Sequence, residues 1–406
     1  MKYQNFIKAY YRLKPYIYKT PLQLNKRLSK KYNANIYFKR EDLQKTRSFK
    51  IRGSLNKILK ETENNNLKKD IVCASAGNHA QGVAYACNLL NLKSKIFIPN
   101  ITPPQKIRSI ESYSNQNMEL FKFGNDFDEC LFEAQKYCSE NESLFIHPYD
   151  DYDIIEGQGT IAYEIEKELV PDLIISCVGG GGLISGLSTF SNVKIIGAEP
   201  NGAHSMYKAI KNNKPINIIN LDTFVDGASV RKVGNITFDI MKNKISLDDI
   251  KIVDNGLLCH NMINLYQEDG IIVEPAGCLS VASLELIDKK EIEGKNVVCI
   301  ISGGNNDIMR YPEIVEKNLL YLGIKHYYII EFSQKPKELK KFILNVLDED
   351  DDVTRFEYIK KTNKNYGNVL VGIETKNNLL LEEKLKENFF KFKKISENDL
   401  IYSYLI

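Results

Sequence analysis

The chain is predicted to fold as an α/β unit, a parallel sheet covered by helices on both faces, followed by a smaller α+β unit. Three observations predict this. Between about residues 35 and 200, short apolar runs alternate with longer helical patterns. Glycine- and serine-rich turns follow several of those runs, where parallel sheets place their ligands. From Tyr327 the rhythm changes to strand, helix, strand, strand, helix, strand, the order of a ferredoxin-like unit.

The strands expected in the first part cover residues 36–40, 71–74, 95–98, 119–122, 173–178 and 194–198, with helices at 78–90, 127–138 and 161–169. Strands separated by helices join through crossovers rather than hairpins, which is why the sheet is read as parallel. A helical stretch at 307–322 closes this part. In the second part, strands are expected at 327–332, 353–359, 368–373 and 400–405, and helices at 336–346 and 380–390. The domain boundary is placed between 322 and 323, giving domains 1–322 and 323–406. The Asn-rich stretch 63–66 reads as a loop.

A length of 406 residues fits two or three domains, and 43% hydrophobic with 26% charged residues fits a globular protein. The net charge of +3 comes without a basic block, so nucleic acid is not an expected partner. The eight cysteines form no C-x-x-C pair and several sit in apolar runs, which reads as free buried thiols. No apolar run approaches the roughly 18 residues that span a bilayer. The expected compartment is the cytoplasm, with no membrane partner.

Four segments carry candidate chemistry. Gly179, Gly180, Gly181, Gly182 and Leu183 follow a strand and precede a helix, so bare backbone N–H groups and the helix dipole can hold an anion. The dinucleotide fingerprint G-x-G-x-x-G fails at Ile184 and Ser185, and the P-loop fails at Leu187. What remains is a phosphate cup, or a tight turn. Glu199 reads as a strand-end residue. Lys50, in Arg47-Ser48-Phe49-Lys50, can attack an aldehyde through its neutral amine, with Phe49 as an apolar wall and the charged strand end Lys39-Arg40-Glu41-Asp42 as a site rim. Read alone, Lys50 is a solvated charge. Ser75, Ala76, Gly77, Asn78 and His79 open a helix whose bare amides suit a carboxylate, and Asn78 offers both a donor and an acceptor. The plainer reading is a capped helix start with a structural His79. Ser302 ends an apolar strand and can partner a ring nitrogen, although it lies 252 positions after Lys50.

The segments KREDLQKTRSFKIRG, SAGNHAQGVA, VGGGGLISG, DGASV, EPAG and ISGGN, in that order, resemble the fold-type II pyridoxal phosphate enzymes and, within them, the biosynthetic threonine dehydratases. The resemblance runs from about Tyr18 to the C-terminus. It implies a two-subdomain parallel-sheet fold like that of tryptophan synthase β, with an ACT-like regulatory domain behind it. It also implies pyridoxal 5′-phosphate as cofactor, with Lys50 holding its aldehyde as a Schiff base and taking the Cα proton of the substrate. Gly179 to Gly182 and Leu183 would cradle its phosphate, Asn78 would meet its 3′-oxygen and Ser302 its ring nitrogen, with Phe49 beside it. Ser75 to His79 would bind the substrate carboxylate, and Gly227 and Glu274 would line the pocket. The implied reaction converts L-threonine, and in some relatives L-serine, to the 2-oxo acid and ammonia, with isoleucine and valine as effectors and a homodimer or homotetramer as the assembly. No metal is implied. Serine dehydratases, serine racemases, threonine synthases and cysteine synthases share the fold, and a non-catalytic amino-acid sensor is the reading outside enzymes. At 335–338 lysines and glutamate replace the small residues of the Pro-Gly-Ala-Leu common in the regulatory domains.

Overall fold

The computed structural model describes residues 1–64, 70–360, 364–396 and 399–405. Asn65 and Asn66 of the expected Asn-rich loop lie outside them. The chain divides into two compact units, Met1–Asp307 and Ile308–Ile406. This division falls before the helix Tyr311–Tyr321, whereas the sequence reading put its boundary after that helix. The reason is local: Glu316 on the helix accepts from Lys325 Nζ at 2.7 Å and from the Tyr327 hydroxyl at 2.6 Å, which ties the helix to the strand that follows.

Among the described residues the first unit contains ten strands: β1 Leu22–Leu24, β2 Asn35–Arg40, β3 Ile71–Ala74, β4 Ser94–Ile98, β5 Met118–Lys122, β6 Leu144–Phe145, β7 Leu173–Cys177, β8 Lys194–Pro200, β9 Ile250–Val253 and β10 Asn296–Ile301. They form two sheets rather than one, in the orders β1-β2-β10-β7-β8-β9 and β5-β4-β3-β6. Every pairing is parallel except β1 with β2. Strands β3 and β7 are buried throughout, as is β10 from Val297 to Ile301, which is why they read as unbroken apolar runs rather than alternating ones. Burying each such Val, Ile or Leu side chain is worth about 1.5–3 kcal/mol.

One helix differs from expectation. It runs Tyr152–Glu166, not 161–169, and starts where the Asp151 carboxylate accepts the backbone N–H groups of Asp153 and Ile154. Gly157, a poor helix former, sits inside it because a Cβ there would lie 2.5 Å from the Arg52 carbonyl oxygen. Close packing against the helix Lys50–Glu63 outweighs local propensity. Among the described residues no helix is long and apolar enough to cross a membrane. All eight cysteines are free thiols, seven of them buried.

The second unit has strands β11 Lys325–Ser333, β12 Asp352–Glu357, β13 Tyr366–Glu374 and β14 Lys391–Lys394, in the antiparallel order β12-β13-β11-β14. Helices Glu338–Asn345 and Asn378–Glu387 complete the βαββαβ unit. The last strand is not 400–405, which forms a 3₁₀ turn at Leu400–Tyr404. It is the Lys-rich 391–394 segment, where Phe390 is buried and Phe392 packs against the core between outward lysines. The charge of those lysines hid a period-2 pattern.

Candidate active site

Three neighbouring parallel strands deliver the main site residues to one edge. β2 leads through a short loop to Lys50, β10 ends at Ser302, and β7 leads into the glycine run; β10 lies between the other two. The Phe49 N–H donates to the Ser302 carbonyl at 3.1 Å, and Gly304 N–H to the Arg47 carbonyl at 2.9 Å. An isolated antiparallel bridge pairs Ser48 with Gly303. Phe49 and Ser302, 253 positions apart, and Arg47 and Gly304, 257 apart, are thus tied backbone to backbone. From the other sheet, β3 contributes the turn at Ser75.

A cavity of about 780 Å³ opens at this edge. Phe49, Lys50, Ser75, Ala76, Gly77, Asn78, His79, Gly179, Gly180, Gly181, Gly182, Leu183, Gly227, Glu274 and Ser302 all line it. The expected aldehyde, phosphate, carboxylate and ring-nitrogen residues are thus brought together, while the charged strand end Lys39 to Asp42 is not among the lining residues.

Lys50 opens the helix Lys50–Glu63. Its Nζ donates to the Pro148 carbonyl at 2.9 Å and lies 5.3 Å from the Phe49 ring centroid. Burial pushes its pKa down to about 8, opposed by the charges of Cys177 and Glu274, so about a tenth of the amine is neutral and nucleophilic at pH 7, far more than for an ordinary lysine. Gly181, at φ 95°, caps the helix Gly182–Phe190. A Cβ on Gly180 would lie 2.3 Å from the Tyr149 ring, and the Thr237 hydroxyl holds the Gly180 carbonyl at 2.7 Å. The first N–H groups of a helix have no intrahelical partner, and here they line the cavity. The Ser75 hydroxyl accepts the Gly77 N–H at 3.2 Å, just before the helix Asn78–Leu89 begins. Ser302 is buried, and its hydroxyl makes a loose 3.3 Å bond to the Ala276 carbonyl.

His79 faces the protein as well as the cavity. Its Nε2–H donates to the Ile146 carbonyl at 2.8 Å, and burial, with the Lys50 charge behind it, drives its pKa down to about 3. It is a neutral, satisfied histidine. Glu199 is fully buried and accepts the Met206 and Tyr207 N–H groups at 2.8 Å each, which makes it a helix-start anchor.

The charged strand end is not a rim. Lys39, Glu41 and Arg52 are fully buried. Arg52 bonds Glu41 and Glu164 on separate edges, with four contacts of 2.8–2.9 Å, and Lys39 Nζ meets Glu164 at 2.6 Å. Opposite charges so close offset one another's loss of water and hold the network inside. Only Arg40 and Asp42, paired with each other at 2.7 Å, retain some exposure.

The sequence reading missed Tyr149, Cys177 and Asn305 as cavity residues. Asn305 stood in the ISGGN segment without a role. Tyr149 had no motif to mark it; it is found only through the ring that the bare Gly180 admits.

Residues 13–303 match the family described as pyridoxal-phosphate dependent enzymes, and residues 316–405 match the C-terminal regulatory domain of threonine dehydratase. The chain is 48% identical to the protein named L-threonine dehydratase biosynthetic IlvA from Staphylococcus epidermidis, over 98% of this chain and 97% of that one. The namesake from Halalkalibacterium halodurans is 45% identical over 99% of both. The chain belongs to the biosynthetic threonine dehydratases. Solved relatives of this dehydratase include the processed form of threonine deaminase isoform 2 from Solanum lycopersicum, with TM-score 0.71 and 34% identity over 78% of this chain and 92% of that one. A serine racemase from Dictyostelium discoideum follows at TM-score 0.68 and 32% identity, covering 76% and 99%.

The family's cofactor is pyridoxal phosphate, and the residues present fit it. The dehydratase has a depressed lysine amine for an aldehyde. Its glycine turn is already crowded by Tyr149, so a side chain at Gly180 would clash before any phosphate arrived. The Ser302 hydroxyl, held by a loose bond to the Ala276 carbonyl and by the Cys177 thiol, faces the cavity where a ring nitrogen would lie.

Proposed function

We propose that the enzyme eliminates water from L-threonine and that the resulting enamine tautomerises and is hydrolysed, taking back one water, to 2-oxobutanoate and ammonia, the first step toward isoleucine, in the cytoplasm. The observation that carries this reading is the convergence in one cavity of Lys50, the glycine turn, the Ser75–Asn78 turn and Ser302. When bound, the cofactor supplies the electron sink for charge released at the substrate Cα. Lys50 holds the aldehyde and, once freed, takes the Cα proton, a role suited to an amine with lowered proton affinity. Gly179 to Gly182 and Leu183 hold the phosphate through backbone N–H groups and the helix N-terminus. The amides of Ser75 to Asn78 orient the substrate carboxylate, and Asn78 donates to the ring oxygen. Ser302, neutral where a carboxylate would add charge, leaves the ring nitrogen unprotonated and favours β-elimination over transamination.

The first unit is read as catalytic. The second is read as an ACT-like sensor that takes isoleucine, with valine opposing, in a homodimer or homotetramer. The test is release of 2-oxobutanoate from L-threonine by the reconstituted enzyme, repeated with L-serine and with isoleucine. Turnover of L-threonine that falls as isoleucine is added is the expected result. No 2-oxo acid from either substrate would overturn the reading.

A further inference from the structure

Two side chains hold the amide of Asn78, and chemistry dictates which end each of them meets. Glu274 is buried at 7% exposure, and its two carboxylate oxygens accept from Asn78 Nδ2 at 2.7 and 2.9 Å. An ionised carboxylate only accepts, so the atom facing it is the nitrogen. On the other side, Asn305 Nδ2 donates to Asn78 Oδ1 at 2.8 Å. The orientation of Asn305 is set independently, because the same nitrogen also faces the Thr46 carbonyl at 2.9 Å, and a backbone carbonyl cannot donate. Both anchors demand the same orientation of Asn78. The two ends of an amide are nearly isosteric, so an unanchored Asn78 could present either one to the cavity.

The position of Glu274 is costly in itself. Among the described residues no lysine or arginine is in ion-pair contact with it. Burial pushes its pKa up to about 7, with Asn78 opposing. The other charges that act on it do so through space: Asp226 in its loop, Lys106 on the helix Pro104–Glu111, and Lys50. Room for it depends on Gly303, where a Cβ would lie 2.2 Å from Glu274 Oε1. A buried carboxylate without a cation contributes little to packing that an apolar residue would not.

We propose that Glu274 is a positioning residue: with Asn305 it locks the Asn78 amide so that the second Nδ2–H, a donor, faces the cofactor's ring oxygen. The proposal rests on the reading of Asn78 given above. A donor there favours the deprotonated oxygen and the long-wavelength absorbance that goes with it. Once protonated, Glu274 can itself donate, and the lock loosens.

The test uses four holoenzymes, the wild type, Glu274→Gln, Asn305→Ala and Asn78→Ala, and reads two quantities without turnover. These are the cofactor absorbance from well below to well above neutral pH, and the cofactor dissociation constant. The wild type is expected to lose long-wavelength absorbance as the pH falls through neutrality. Glu274→Gln, whose amide can donate or accept, should abolish that step and weaken cofactor binding about tenfold. Asn305→Ala should weaken binding in the same direction, and it decides the matter if Glu274→Gln fails to fold. Wild-type spectra and affinity in both Glu274→Gln and Asn305→Ala, beside a changed Asn78→Ala, would overturn the proposal while leaving the role of Asn78 intact. An unchanged Asn78→Ala would instead overturn the reading of Asn78 itself.

Discussion

Lys39 and Lys50 stand eleven positions apart, on either side of the same loop; Lys39 is fully buried and Lys50 half-buried on the cavity wall, and they differ most in company. Lys39 meets Glu164 at 2.6 Å and the Thr20 carbonyl at 2.7 Å. Lys50 meets one backbone carbonyl and no carboxylate among the described residues. Burial lowers the proton affinity of both. Glu164 and Glu41 oppose this at Lys39 from within a bonded network, whereas Cys177 and Glu274 do so only through space at Lys50. A buried amine with a bonded counter-charge is a structural tie. One left with a carbonyl on the wall of a cavity keeps its lone pair available for chemistry.

Removing each partner in turn tests that contrast. Lys50→Ala should cut 2-oxobutanoate release from L-threonine by at least about a thousandfold, with urea unfolding shifted by less than about 1 kcal/mol. Equal losses of stability in this variant and in Lys39→Met would erase the distinction between the two lysines. Arg52→Ala, which leaves Glu41 and Glu164 facing one another with only Lys39 between them, should cost about 3–5 kcal/mol in the same unfolding measurement.

The pH response sharpens the comparison. In the cofactor-free protein, Lys50 is charged in both folded and unfolded chains below about pH 8. Between about 8 and 10.5 the unfolded chain keeps a proton that the folded one has lost, so folded stability should rise with pH across that window. The rate of cofactor capture, followed by absorbance, should rise as pH approaches 8 and then level off. A pH-independent rate would show that the Lys50 amine is not the titrating group.

The smallest expected effect concerns a third lysine, placed for neither role. Lys337 adopts φ 74° just before the helix Glu338–Asn345, a left-handed backbone that glycine takes without a Cβ penalty. Lys337→Gly should stabilise the second unit by about 1 kcal/mol, read from its thermal midpoint. An unchanged midpoint would mean the left-handed backbone costs nothing there.

What could be read from the sequence was local. The turns after β2, β7 and β10 each carry their candidate residues within a few consecutive positions, so Lys50, the glycine run and Ser302 could be singled out as a set, although Lys50 alone read as a solvated charge. The strands around them did too, because strands buried on both faces are unbroken apolar runs. What could not be read was pairing across distance. Asn78 and Glu274 are 196 positions apart, and Lys39 and Glu164 are 125 apart. A lysine destined for the interior looks, in sequence, like one destined for water. The charged strand end was therefore read as a rim, and the lysines of β14 hid a strand. The early start of the helix Tyr152–Glu166 was masked by glycines whose purpose is contact with a neighbouring helix.

The order of the central sheet bears on how the protein is made. β2 and β7 leave the ribosome long before β10, yet β10 belongs between them. Until about residue 301 has emerged, the nascent chain has two strands with a vacant slot and no floor beneath Lys50. Vitamin capture is therefore a late event in synthesis, and chains cut short before that strand cannot retain it.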